Sequence, residues 1–80
     1  LSVNTSAKDS KSRLQEYLQS QRQPLPEYVV VEVGGEGHAQ VFTIECRVAL
    51  AKHATQAVAS SRREAEKQAA ALMLAHLKID

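Results

Sequence analysis

Apolar residues along this chain recur with two different periods, and the change from one to the other divides it into helices and strands. From Asp9 or Ser10, both suited to cap a helix N-terminus, to about Ser20, Leu14, Tyr17 and Leu18 fall at i, i+3 and i+4, the spacing of a single helix face. This predicts a short amphipathic helix. Gln19 to Gln23 is polar, and Pro24-Leu25-Pro26 cannot continue a helix, because each proline lacks an N–H and restrains the residue before it. The chain is expected to leave the helix extended.

Tyr28-Val29-Val30-Val31-Glu32-Val33 is rich in β-branched residues. Val41 to Val48 alternates, with Phe42, Ile44, Cys46 and Val48 on one face and Thr43, Glu45 and Arg47 on the other. These are two strands. The glycine-rich stretch from Gly34 to Gln40 is longer than a tight hairpin turn and is expected to protrude as a flexible loop between antiparallel partners. After a connection over Ala49 to Ala54, Thr55-Gln56-Ala57-Val58-Ala59 is read as a third strand. Ser60 or Ser61 then caps a long helix from Arg62 to about Leu77, with Ala65, Ala69, Ala70, Met73, Leu74 and Leu77 on one broad face. The expected fold is α+β in the order α-β-β-β-α, a three-stranded antiparallel sheet with both helices on one face. Its expected core includes Leu14, Leu18, Val30, Phe42, Ile44, Ala65, Ala69 and Met73.

Eighty residues make one small domain. Residues 1–7 are small, polar and aperiodic and read as remnant linker from a longer polypeptide, leaving 8–80 as the domain. No run of about 18 apolar residues marks a membrane span, and no basic and apolar leader is visible, so a cytoplasmic protein without a membrane partner is expected. The single cysteine, Cys46, lies in an alternating apolar run and reads as a small buried hydrophobe, which fits a reducing compartment. His38, His53 and His76 lack any metal-ligand spacing, so no metal or other cofactor is expected within this stretch.

Net charge says little, since 10 basic residues against 9 acidic ones give +1. Position says more. Arg62 and Arg63 fall in the first turn of the last helix, with Lys67 one turn beyond Arg63. Cations at a helix N-terminus oppose the macrodipole, at up to about 1 kcal/mol each, so a bound anion is a natural explanation: free N–H groups and basic side chains converge on phosphate. A solvated end balanced by Glu64 and Glu66 explains the charges alone equally well.

Arg62-Arg63-Glu64-Ala65 followed by Ala69-Ala70 resembles the lysine-lysine-x-alanine opening of the last helix in double-stranded-RNA-binding domains. Gly35-Glu36-Gly37-His38 resembles the first β-loop of that family, and Leu25-Pro26-Glu27-Tyr28 its entry into strand one. Ser12-Arg13-Leu14-Gln15-Glu16 is similar to the first helix of the version found at the C-terminus of bacterial ribonuclease III. The similarity runs from about Lys8 to Leu77, with three RNA-contacting regions in the family's order.

The resemblance implies that Ser12, Gln15 and Glu16 lie along one RNA minor groove, that His38 enters the next, and that Ser60, Ser61, Arg62, Arg63 and Lys67 hold the phosphates between them. Taken alone, the first three are an ordinary wet helix face and His38 a solvated loop residue. The resemblance further implies a parent endonuclease of ribosomal and other RNA processing, dimeric through a catalytic domain that uses acidic residues and magnesium. That acidic constellation is absent here, so no catalytic residue is assigned: Glu64 and Glu66 share a helix end with three cations and have no further carboxylates spaced to hold metal ions.

Ala57 and Ala59 depart from the family pattern, standing where glycines commonly precede the last helix, and Glu66 takes a place that many members give to lysine. An added methyl is expected to restrict backbone approach to phosphate, and Lys67 to offset Glu66. Two functions follow: binding of duplex RNA by shape, or a degenerate copy of the fold that serves protein interaction or dimerisation. Gln15, Glu16, His38, Arg62 and Arg63 favour the first, whereas Ala57, Ala59 and the small net charge favour the second.

Overall fold

The computed structural model describes residues 9–78; the expected linker at 1–7 lies outside them. The first helix, α1, runs over Ser10–Ser20. Asp9 is its N-cap, with a side-chain oxygen accepting from the Ser12 amide at 3.0 Å. Leu14 and Leu18, one turn apart, are fully buried. At its end Gln23 N–H donates to Leu18 O at 2.8 Å and Arg22 N–H to Gln19 O at 3.0 Å. These two bonds form a Schellman cap whose left-handed position, usually glycine, is taken by Arg22 at φ 57.

Strands β1 (Glu27–Gly34), β2 (Val41–Arg47) and β3 (Thr55–Ala59) form one antiparallel sheet in the order β1-β2-β3. Pairing sets Tyr28 opposite Cys46 and Val30 opposite Ile44, then slips at a bulge at Val31. Across the other seam Ile44 faces Ala57 and Phe42 faces Ala59. The second helix, α2, covers Arg62–His76, capped by Ser61, whose Oγ accepts from the Glu64 amide at 3.1 Å. Ala65, Ala69, Ala70, Met73 and Leu74 are its buried residues.

The small side chains of α2 and of Ala57 let helix and sheet approach closely enough for Thr55 Oγ1 to donate to the Ala69 carbonyl at 2.9 Å. Leu14 and Leu18 join Cys46, Val48, Ala57, Ala69, Ala70, Met73 and Leu74 in one core, so both helices lie on the same face of the sheet. The expected order and layering hold. Two members of the expected core do not: Val30 and Phe42 are only half-buried. The reason is placement, because α2 packs over β2 and β3 and leaves the β1 edge and the loop end of the sheet more open.

Candidate nucleic-acid interface

The β1–β2 connection contains a short stretch of regular structure. A 3-10 turn spans Gly37–Ala39, closed by Ala39 N–H donating to Glu36 O at 2.9 Å. Gly35 stands at φ +80, and a side chain there would overlap the Ala39 carbonyl, so glycine is required. The turn holds His38 exposed at the tip.

At the start of α2, Ser60, Ser61, Arg62 and Arg63 are all exposed. Ser61 Oγ is already an acceptor in the cap, yet its hydroxyl hydrogen remains available to an incoming oxygen. The first hydrogen bond of the helix runs from Ala65 N to Ser61 O at 3.0 Å. The amide hydrogens of Arg62 and Arg63 precede it and lie at the positive end of the helix dipole. Two guanidinium groups and two amides thus share one helix end, an arrangement able to receive an anion such as phosphate.

The strand register places this end and His38 at the same end of the sheet. Because Phe42 pairs with Ala59, β2 starts where β3 finishes, so the 3-10 turn and the first turn of α2 emerge from the same end of the sheet. The N-terminal half of α1 joins them through Lys11, whose Nζ lies 2.6 Å from Glu66 Oε1 in the second turn of α2. Ser12, Gln15 and Glu16 are exposed on α1. The three expected regions therefore lie toward one end of the fold, although they are scattered along the sequence.

Several local expectations are corrected. Glu66 is offset by Lys11 and not by Lys67, whose Nζ is instead 4.0 Å from Glu64 Oε2 on its own helix. The Asp9 carboxyl is held below the ordinary carboxylate range, chiefly by the Ser12 amide hydrogen bond, with Lys67 and Lys11 adding smaller attractions. The methyl of Ala57 is buried under α2, and Ala59, paired with Phe42, is half-buried. Packing under α2 takes the Ala57 methyl away from the solvent at the helix end.

Lys11 was not among the expected site residues. Its partner lies 55 positions away, and no local pattern marks such a pair. Among the described residues no group of three or more His, Cys, Asp or Glu side chains is placed to hold a metal ion. No helix among them is long and apolar enough to cross a membrane. Cys46 is buried, and burial pushes its thiol up to about 11, so it is a packing group and not a nucleophile.

Comparison with known proteins agrees with this geometry. Ribonuclease 3 of Shewanella loihica is 55% identical over 71 residues, covering 89% of this chain and 32% of that protein. Ribonuclease 3 of Shewanella amazonensis is 57% identical over 67 residues, covering 84% of this chain and 30% of that protein. The chain thus spans about a third of the length of these relatives. Among solved structures, Arabidopsis HYL1, studied for miRNA processing, superposes with a TM-score of 0.75 at 31% identity, over 86% of this chain and 96% of that one. The first dsRBD of HYL1 gives 0.69, also at 31% identity, over 85% and 94%. The double-stranded RNA binding motif matches residues 10–77, from the first residue of α1 to just past the end of α2. With that match, the shared layout of two helices on a three-stranded sheet and the placement of the three exposed regions toward one end of the fold, the chain belongs to the double-stranded RNA binding motif family.

Proposed function

We propose that this chain binds double-stranded RNA by shape, with little regard for sequence, and serves as the substrate-docking module of a ribonuclease III endonuclease. The observation that carries the reading is the placement of exposed α1, the His38 turn and the N-terminus of α2 toward one end of the fold. A-form RNA offers a wide, shallow minor groove lined with 2′-hydroxyls and a narrow major groove edged by phosphates. A rigid domain that touches two successive minor grooves and the phosphates between them covers about 16 bp. In this assignment Ser12, Gln15 and Glu16 meet one minor groove and His38 the next. Ser60, Ser61, Arg62, Arg63 and Lys67 meet the phosphates between.

The charges fit the assignment better than the net value of +1 suggests. Lys11 occupies Glu66, so the exposed guanidinium groups of Arg62 and Arg63 dominate the field at the helix end. The burial of the Ala57 methyl removes one of the three sequence features that favoured a protein-interaction role. In the same reading the parent protein cuts duplex RNA in a separate magnesium-dependent catalytic domain, through which it forms a homodimer, and works in the cytoplasm. The names of the Shewanella relatives support the endonuclease part of this reading.

Titration with RNA and DNA duplexes of about 20 base pairs at matched salt tests the binding reading, because B-DNA lacks both the 2′-hydroxyls and the A-form groove spacing. Tighter binding to RNA is expected. Equal affinities would reduce the interaction to unselective electrostatics.

A further inference from the structure

We propose that Lys11 is a positioning residue for RNA binding: paired with Glu66 and resting on Tyr28, it ties α1 to the phosphate-binding helix and masks the Glu66 carboxylate beside that phosphate site. This rests on the RNA-binding reading above. The geometry is specific. Lys11 Nζ is 2.6 Å from Glu66 Oε1 and 5.1 Å from the centroid of the Tyr28 ring, so one ammonium joins α1, α2 and β1. The side chains of Lys11 and Glu66 are 38% and 22% exposed, which shelters the pair more than an ordinary surface ion pair.

Two consequences follow for a rigid duplex. First, the groove-reading face of α1 and the phosphate-reading end of α2 must keep a fixed spacing, because A-form grooves do not adjust to the protein. The hydrophobic contacts of Leu14 and Leu18 hold the helices together but tolerate sliding, whereas a directional ion pair in the first turn of α1 fixes the end that meets RNA. Second, Glu66 lies on the helix that carries Arg62, Arg63 and Lys67, where an unmasked carboxylate would repel phosphate. Lys11 pairs with it, so the ammonium acts through Glu66 and not on the RNA.

A double-mutant cycle separates this from direct phosphate contact. Lys11→Met keeps the stem and removes the charge, Glu66→Gln removes the repulsion, and Lys11→Arg restores the cation. RNA affinity and its salt dependence are measured for the wild type, each variant and Lys11→Met/Glu66→Gln, with circular dichroism and thermal melts as folding controls. Lys11→Met is expected to weaken binding about fivefold without changing the salt slope, and Lys11→Arg to recover most of that loss. In the Glu66→Gln background the same Lys11→Met change is expected to have little further effect.

Equal losses in both backgrounds, with a slope reduced by about 0.9, would make Lys11 a phosphate contact and overturn the proposal. No loss in any folded variant would also overturn it while leaving the RNA-binding reading intact. Failure of the wild type to bind duplex RNA would remove both.

Discussion

A side chain on Gly35 would overlap the carbonyl oxygen of Ala39, the residue that closes the 3-10 turn presenting His38. The shape of the loop thus depends on a hydrogen at one position. With Gly35 also at φ +80, Gly35→Ala should cost about 1–2 kcal/mol from the left-handed backbone alone, before any clash is relieved. For a domain of this size a loss of 1 kcal/mol lowers Tm by roughly 4–8 °C. Thermal melts should show that drop, and RNA titration should show weaker binding because the turn must be rebuilt. Unchanged Tm and affinity would refute the account of the turn.

The phosphate assignment at the start of α2 makes a quantitative claim about salt. If Arg62 and Arg63 each neutralise a phosphate, log affinity falls with log salt by roughly 0.9 per contact, a B-DNA coefficient applied here to duplex RNA. The double variant Arg62→Ala/Arg63→Ala should therefore bind unrelated duplexes alike more weakly, with a slope smaller by about 1 per residue. Gln15→Ala should weaken binding with little change of slope. Folding should survive the double variant, because the buried face of Ala65, Ala69 and Met73 is untouched and cations are removed from the positive end of the helix. A folded double variant with wild-type affinity and slope would exclude the two arginines from the interface.

Acid should loosen the start of α1. The Asp9 carboxyl is held below its ordinary value of 3.8, mainly by the amide of Ser12. A group with a depressed folded pKa contributes stability that is fully present above the unfolded value. That contribution declines as pH falls past about 4 and is gone once the pH is below the folded value. Asp9→Asn keeps a capping oxygen that does not titrate. Thermal melts from pH 7 to pH 2 should thus show a smaller acid loss for the variant than for the wild type. Parallel curves would show that the cap does not contribute to acid sensitivity.

Arg22 marks the opposite end of the same helix. At φ 57 it occupies the position of a Schellman cap where glycine has no Cβ penalty. The left-handed conformation costs an ordinary residue about 1–2 kcal/mol, while glycine adds about 0.5–1 kcal/mol of lost chain entropy. Arg22→Gly should stabilise the domain by a fraction of a kcal/mol up to about 1, readable as a higher midpoint in urea at unchanged m. A lower midpoint would show that the Arg22 side chain makes a stabilising contribution larger than the strain.

The elements and their order were legible in the amino-acid pattern, because each rests on local chemistry. The spacing of Leu14 and Leu18 defines the buried face of α1, and the alternation of Phe42, Ile44 and Cys46 defines the inner face of β2. The pairing of Arg62 and Arg63 at a serine-capped helix start likewise needs only neighbours in the chain. The valine run of β1 has no such alternation, so neither the bulge at Val31 nor the half-burial of Val30 was legible there.

Relations between residues far apart in the chain emerged only once the elements were packed. The seating of α2 over β2 and β3 turned the Ala57 methyl into the core, where the residue type alone had suggested a barrier to phosphate. The approach of the two helices gave Glu66 to Lys11, 55 residues away, in place of its sequence neighbour Lys67. The strand register carried His38 to the same end of the sheet as Arg62 and Arg63. Period and propensity act over one or two turns, whereas the angle and distance between packed elements follow from the volumes of all the side chains between them, which no single stretch of sequence contains.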